Sequence, residues 1–278
     1  MSVPRSVQLP PEVVVSTVDT DRGPFAAHRV SPASRARAHV LLVPGWTGSK
    51  EDFTPLLPAL AAAGFAATAY DQRGQFETPG DADAASYSLA ALAADAAAVT
   101  SAAGFSTSHL LGHSFGGLVV QRAVVDDPAR WTSLSLLSTG PGALGDSPQR
   151  PLHQIVRAIG SVPLDQLHAM REQGESRPDD IADFLLRRFT SNSEASLRAM
   201  TQHLIDAPDV IDAVLDTGVP CWVGRGADDD AWPHEQQSHM AERLGTSIQV
   251  VAGSAHSPAI ENTPGLLAAW LPFLEMHS

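Results

Sequence analysis

Ser114 sits at the centre of Gly112-His113-Ser114-Phe115-Gly116, a G-x-S-x-G pattern. The pattern follows an apolar run at 108–111 and precedes an apolar stretch of helical spacing at 115–125. A serine at a sharp strand-to-helix turn takes strained backbone angles and is lifted above the sheet edge. The residues two before and two after it then approach one another, so glycine fits where a side chain would clash. A helix starting just beyond the serine leaves the Phe115 N–H unpaired at a positive helix end, which suits a developing oxyanion. Such a hydroxyl becomes a nucleophile when a base takes its proton and a carboxylate orients the base.

Two downstream segments offer those groups. An apolar run at 219–223 leads into Gly226-Ala227-Asp228-Asp229-Asp230, and another at 248–251 leads into Ser254-Ala255-His256-Ser257-Pro258. Both lie just beyond predicted strands, where open α/β sheets bind their ligands. With these three segments in place, the chain resembles the α/β-hydrolase family from about residue 20 to its C-terminus. The resemblance implies the order serine, acid, histidine, and therefore the set Ser114, Asp229 and His256. The family's acid is the third residue after a glycine and four before a proline. Asp229 meets both counts against Gly226 and Pro233, whereas Asp228 and Asp230 meet neither.

The resemblance also implies an oxyanion hole built from two backbone N–H groups, those of Phe115 and Trp46. Trp46 lies in Val43-Pro44-Gly45-Trp46-Thr47-Gly48, where Pro44 replaces the usual histidine. Proline has no N–H, but the expected donor is Trp46, whose side chain then faces the pocket. The stretch Tyr70-Asp71-Gln72-Arg73-Gly74-Gln75-Phe76-Glu77 resembles the family's D-x-R-G-x-G-x-S turn, with Phe76 at the usual second glycine. Asp71 and Arg73 are read as structural anchors, and His113 as packing beside the serine.

The elements that must position these groups follow from local patterning. Residues 13–18 and 25–30 read as an antiparallel hairpin around a turn-rich cluster. Buried strands at 39–43, 65–70, 108–111 and 134–138 alternate with helices at 53–63, 88–103 and 115–125. That rhythm means βαβ units and a mainly parallel sheet, an α/β fold. It breaks after about residue 140. Helical patterns at 152–159, 164–172, 181–189, 194–205 and 210–215 are separated by Pro163, Pro178 and Pro208, with Pro148 ahead of them. The break is far longer than an ordinary crossover. Residues 143–215 are therefore expected to form an inserted helical cap on a core made of 1–142 and 216–278. Helices at 235–244 and 264–276 complete the core.

Composition narrows the function further. The chain has 278 residues, with 31 acidic against 18 basic, a formal charge of −13. That disfavours nucleic acid and anionic membrane surfaces. No apolar run reaches the roughly 18 residues of a membrane span. No export signal is evident at the N-terminus, so the expected location is the cytoplasm. Schiff-base chemistry would rest on the only lysine, Lys50, which the sequence places in a polar loop. The single cysteine, Cys221, excludes an intramolecular disulfide and reads as a small buried hydrophobe. Gly140–Gly145 matches G-x-G-x-x-G, but Pro148 and Pro151 block the helix that should follow. His234 and His239 are five apart, so they face different sides of a helix and make a poor metal pair.

The expected protein is a serine esterase, a carboxylic-ester hydrolase acting through an acyl-enzyme on Ser114. Its partner is a small apolar or mixed acyl compound, and no cofactor or metal is implied. Perhydrolases (haloperoxidases), lactonases and carbon–carbon bond hydrolases share the triad and remain alternatives. Cofactor-independent dioxygenases of the fold place their acid after the strand before the cap, where this chain has Ser138-Thr139-Gly140. A non-catalytic binding protein of the same fold is the remaining alternative. His153, His168 and His203, in the helical stretch, are read as solvated or satisfied.

Overall fold

A computed structural model describes residues 2–144 and 152–278. Gly145, Pro148 and Pro151, and the start of the expected cap around them, lie outside the described residues. Among the described residues the eight strands are β1 (Val14–Thr20), β2 (Gly23–Val30), β3 (Ala38–Val43), β4 (Phe65–Tyr70), β5 (Ser108–His113), β6 (Trp131–Leu137), β7 (Cys221–Gly226) and β8 (Ile248–Val251). They form one sheet in the order β1-β2-β4-β3-β5-β6-β7-β8. The first two pairings are antiparallel and the rest parallel. This is the mainly parallel α/β sheet that the apolar runs predict.

Eleven α-helices accompany the sheet among the described residues: α1 (Leu57–Ala62), α2 (Leu89–Ala102), α3 (Phe115–Asp126), α4 (Leu152–Ala158), α5 (Leu164–Arg171), α6 (Asp179–Thr190), α7 (Glu194–Asp206), α8 (Ile211–Asp216), α9 (His234–Arg243), α10 (Pro258–Glu261) and α11 (Thr263–Met276). The buried strands send alternate side chains to opposite faces. In β3, Leu41 and Val43 join a core with α2, α3, α8 and α9, while Val40 and Leu42 join one with α1 and α11. Continuous apolar runs thus supply both faces of one sheet.

Some boundaries move for identifiable reasons. The helix predicted at 53–63 is split, with Lys50–Leu56 in a 3-10 helix and α1 starting at Leu57. Pro55 and Pro58 lie at the junction, and neither has the backbone N–H that a continuous α-helical ladder would use there. β6 begins three residues before its predicted start at 134, since Trp131 pairs with Ser108 of β5. β7 runs on to Gly226 because pairing with β8 outweighs the weak strand preference of its glycines. Lys50 does not lie in a polar loop. It is buried and ion-paired with Asp71 at 2.9 Å and Glu77 at 2.7 Å. Burial works against its charge, but Asp71, Glu51 and Glu77 outweigh it and hold the ammonium protonated. Arg73 pairs with Asp95 at 2.7 Å, so Asp71 and Arg73 do anchor their turn. Cys221 is partly rather than fully buried, and burial pushes its thiol up to about 11.

Among the described residues four buried histidines lie on the strands of the sheet, His28, His39, His109 and His113. His39 spans the hydroxyls of Ser108 and Thr68, each at 2.9 Å, and His109 meets Ser133 at 2.8 Å. His113 ends β5. Burial lowers His39 and His113 to about 3 and His109 to about 4, so all three are neutral. In the unfolded chain they would bind protons below about pH 6.5. The unfolded state therefore takes up more protons between these values. The stability they contribute is intact above about pH 6.5 and is lost as the pH falls toward their folded values. The urea midpoint should fall steadily from about pH 7 to about pH 5. A midpoint that stays flat over that range contradicts neutral burial of these rings.

Candidate active site

Ser114 lies between the last residue of β5 and the first of α3 with φ 55° and ψ −123°, a left-handed conformation for a residue with a side chain. A Cβ on Gly112 would lie 2.4 Å from the Gly116 carbonyl oxygen, which explains a glycine two before the serine. The four non-glycine residues with positive φ among the described residues are Thr47, Phe76, Ser114 and Ser138. They follow β3, β4, β5 and β6, so backbone strain gathers at the carboxyl ends of four neighbouring strands.

The segments expected to supply base and acid meet there. His256 Nε2 lies 2.9 Å from Ser114 Oγ, and His256 Nδ1 lies 2.8 Å from Asp229 Oδ1. Asp229 is buried, while Asp228 and Asp230 are exposed. Burial works to raise the Asp229 carboxyl. Hydrogen bonds from His256, the Ala231 N–H and Gln237 outweigh it and hold the group at about 2. Asp229 is thus an acceptor only, so Nδ1 carries the imidazole proton. Nε2 is left as the acceptor for the serine hydroxyl.

The loop after β3 packs directly on the serine. A Cβ on Gly45 would lie 2.9 Å from Ser114 Cβ, which puts Trp46 beside the elbow. The Phe115 N–H, first in α3, has no intrahelical acceptor. Two buried glutamines hold the loop: Gln72 Nε2 donates to the Pro44 carbonyl at 2.8 Å, and Gln75 Nε2 to the Gly45 carbonyl at 2.9 Å. Phe76, in place of the usual glycine, meets Phe184 of α6 edge-to-face at 5.7 Å.

The acid and base loops have further supports that the motifs do not reveal. His113 Nε2 donates to the His256 carbonyl at 2.7 Å, so it is more than packing. Glu261 of α10 accepts from the Ala255 N–H, and His234 Nε2 donates to the Asp229 carbonyl at 2.6 Å. Each acts on a backbone carbonyl or N–H of a loop. The pairing could not be read from spacing, because it depends on which loops the fold brings together.

Ser114 and His256 open into a cavity of ≈ 320 Å³ walled by Trp46, Leu152, Ile155, Leu204 and Trp232. Leu152 and Ile155 come from α4, Leu204 from α7, and Arg171 of α5 reaches the same space. His153, His168 and His203 are not among its lining residues. His203 donates to the Tyr87 carbonyl at 2.9 Å. A groove of ≈ 460 Å³ along residues 4–10 and 260–264 contains none of the three triad candidates. No group of three His, Cys, Asp or Glu suited to a metal ion occurs among the described residues. No helix among them is long and apolar enough to cross a membrane.

Comparison with known proteins bears on the family and the fold. A model described as the alpha/beta hydrolase family matches residues 40–270. A protein of Variovorax paradoxus (strain S110) named as carbamate hydrolase RutD is 41% identical over 99 residues. That match covers 36% of this chain and 37% of the relative's length. Among solved structures, a carboxylesterase of Nitrososphaera gargenis superposes with a TM-score of 0.75 at 18% identity, over 94% of this chain and 98% of that one. A mutant of the N-acyl homoserine lactonase AidH gives 0.76 at 18%, over 95% and 98%. The bromoperoxidase of Bacillus anthracis gives 0.75 at 17%, over 94% and 100%. At such identities the three structures bear on the fold alone.

Proposed function

The chain belongs to the alpha/beta hydrolase family, and from that premise we propose that it is a serine hydrolase that cleaves a carboxylic ester or a related acyl compound through an acyl-enzyme on Ser114. The observation that carries this reading is the pair of hydrogen bonds linking Ser114 to His256 and His256 to Asp229. Ser114 Oγ attacks the acyl carbon and its proton passes to His256 Nε2. The ionised Asp229 keeps Nδ1 protonated and stabilises the imidazolium that forms. The N–H groups of Trp46 and Phe115 receive the oxyanion. His256 returns the proton to the leaving group, then activates the water that releases the acid.

We assign the cover of the site to the helices between β6 and β7, within residues 143–215, on a core of 1–142 and 216–278. Wall residues from α4, α5 and α7 support that division. α8 packs on α3 and α9 in the sheet's own helical layer, so the covering part is α4–α7. The apolar walls favour an apolar or mixed acyl group.

A panel of esters, thioesters, lactones and carbamates of graded chain length, with Ser114→Ala as the blank, tests the reading. One class should be cleaved by the wild type and not by the blank. Carboxylate with hydrogen peroxide belongs in the panel, because perhydrolysis would use the same triad. If no acyl compound is turned over, or the blank is equally active, the proposal fails.

A further inference from the structure

Arg171, the last residue of α5, lines the cavity that holds Ser114 and His256. Its guanidinium carbon stands 4.6 Å from the Trp46 ring centroid and 5.3 Å from that of Phe189. Aromatic faces hold a guanidinium without using its N–H donors. Nη1 is buried and has no hydrogen-bond partner among the described residues. Two of the carboxylates near it are already paired with other arginines. Glu172, the next residue, is bound by Arg177 at 2.8 Å. Asp52, in the wall of the same cavity, is bound by the buried Arg188 at 2.8 Å. Asp230 reaches the cavity from an exposed position. A chain with 31 acidic against 18 basic residues thus leaves this cation unmatched beside its candidate nucleophile.

Burial depresses the Arg171 guanidinium to about 10, Glu172 opposing and Arg188 adding to the effect, so the group is still charged at neutral pH. An unpaired charge in such a place is costly, and an incoming anion offsets that cost. The planar fork of donors fits a carboxylate in a bidentate pair. Trp46 meets Arg171 with its ring and, in the proposed mechanism, the acyl oxygen with its N–H. One residue thus joins the anion site to the oxyanion hole, so both can hold a single bound molecule.

We infer that Arg171 anchors a carboxylate at the far end of the acyl chain, so that the substrate is a monoester, or related monoacyl derivative, of a small dicarboxylic acid. The inference rests on the Ser114 reading for the position of the acyl carbon. The walls of the ≈ 320 Å³ cavity then pack the methylene groups between the two ends.

The test separates binding from turnover. Ser114→Ala protein is titrated calorimetrically with monomethyl glutarate and with its neutral counterpart, methyl pentanoate. The glutarate ester should bind at least about tenfold more tightly. Arg171→Met in the same background should remove that preference, and Arg171→Lys should restore part of it. Equal binding of the two esters to the Ser114→Ala protein overturns the inference, whether or not Arg171→Met folds. So does a preference that survives in folded Arg171→Met, or inorganic phosphate binding more tightly than the glutarate ester. In turnover by otherwise wild-type protein, the ratio of kcat/KM for the para-nitrophenyl esters of glutarate and pentanoate should drop at least about tenfold in Arg171→Met, chiefly through KM. If neither these esters nor any acyl compound of the wider panel is hydrolysed while the binding preference persists, the Ser114 reading fails and the Arg171 site stands.

Discussion

Ser114→Ala is expected to lower turnover of a cleaved ester by about 10⁴–10⁶-fold while leaving the fold unchanged. The large loss follows from what the substitution removes. Oγ is the atom 2.9 Å from His256 Nε2, and among the described residues no other hydroxyl is hydrogen-bonded to that nitrogen. The fold should tolerate the change because alanine keeps the Cβ already present at this strained position, φ 55°. The space beside Gly45 is bounded by Ser114 Cβ and the His113 carbonyl, which alanine preserves. Residual activity would come from the oxyanion donors and substrate binding alone. Steady-state kinetics checked by circular dichroism decide the matter. More than about a tenth of wild-type activity in a folded variant, free of contaminating esterase, contradicts the role given to Ser114.

The second large effect separates three adjacent aspartates. Asp229→Asn should lower turnover about 10⁴-fold, because an amide can donate to Nδ1 and hold the imidazole in the wrong tautomer. Asp228→Asn and Asp230→Asn should cost about tenfold or less, since both side chains are exposed while Asp229 is buried against His256. Three like charges could not all be buried together, and the turn after β7 turns only the middle one inward. Kinetics of the three variants side by side test this. A crippled Asp228→Asn or Asp230→Asn enzyme shifts the acid by one residue. Three active variants place the acid elsewhere and return weight to a dioxygenase-like or non-catalytic protein.

The parts of the site legible in the sequence are those carried by local pattern. The G-x-S-x-G segment contains its own geometric reason, and the parallel sheet follows from apolar runs too continuous for a half-exposed strand. Asp229 was separable from its neighbours by its register to Gly226 and Pro233. What stayed hidden depends on contacts between distant loops. Gln72 and Gln75 stand at unspecified positions of the turn motif, and their role emerges only when β4 lies beside β3 and their amides meet the Pro44 and Gly45 carbonyls. Arg171 carries no local signal in the sequence, because its surroundings are set by Trp46 and Phe189, which are distant in the chain. Lys50 looked solvated because its neighbours in sequence are polar, yet the carboxylates of Asp71 and Glu77, far along the chain, make its burial tolerable.

The most direct test of the activated serine is covalent labelling with a fluorophosphonate, which reacts with a nucleophilic serine and not with an ordinary one. Wild-type protein should gain one adduct by intact mass, mapped by peptide fragmentation to Ser114. The adduct should be absent from Ser114→Ala and form far more slowly in Asp229→Asn. Folded wild-type protein that gains no adduct, or gains it at another residue, contradicts the account.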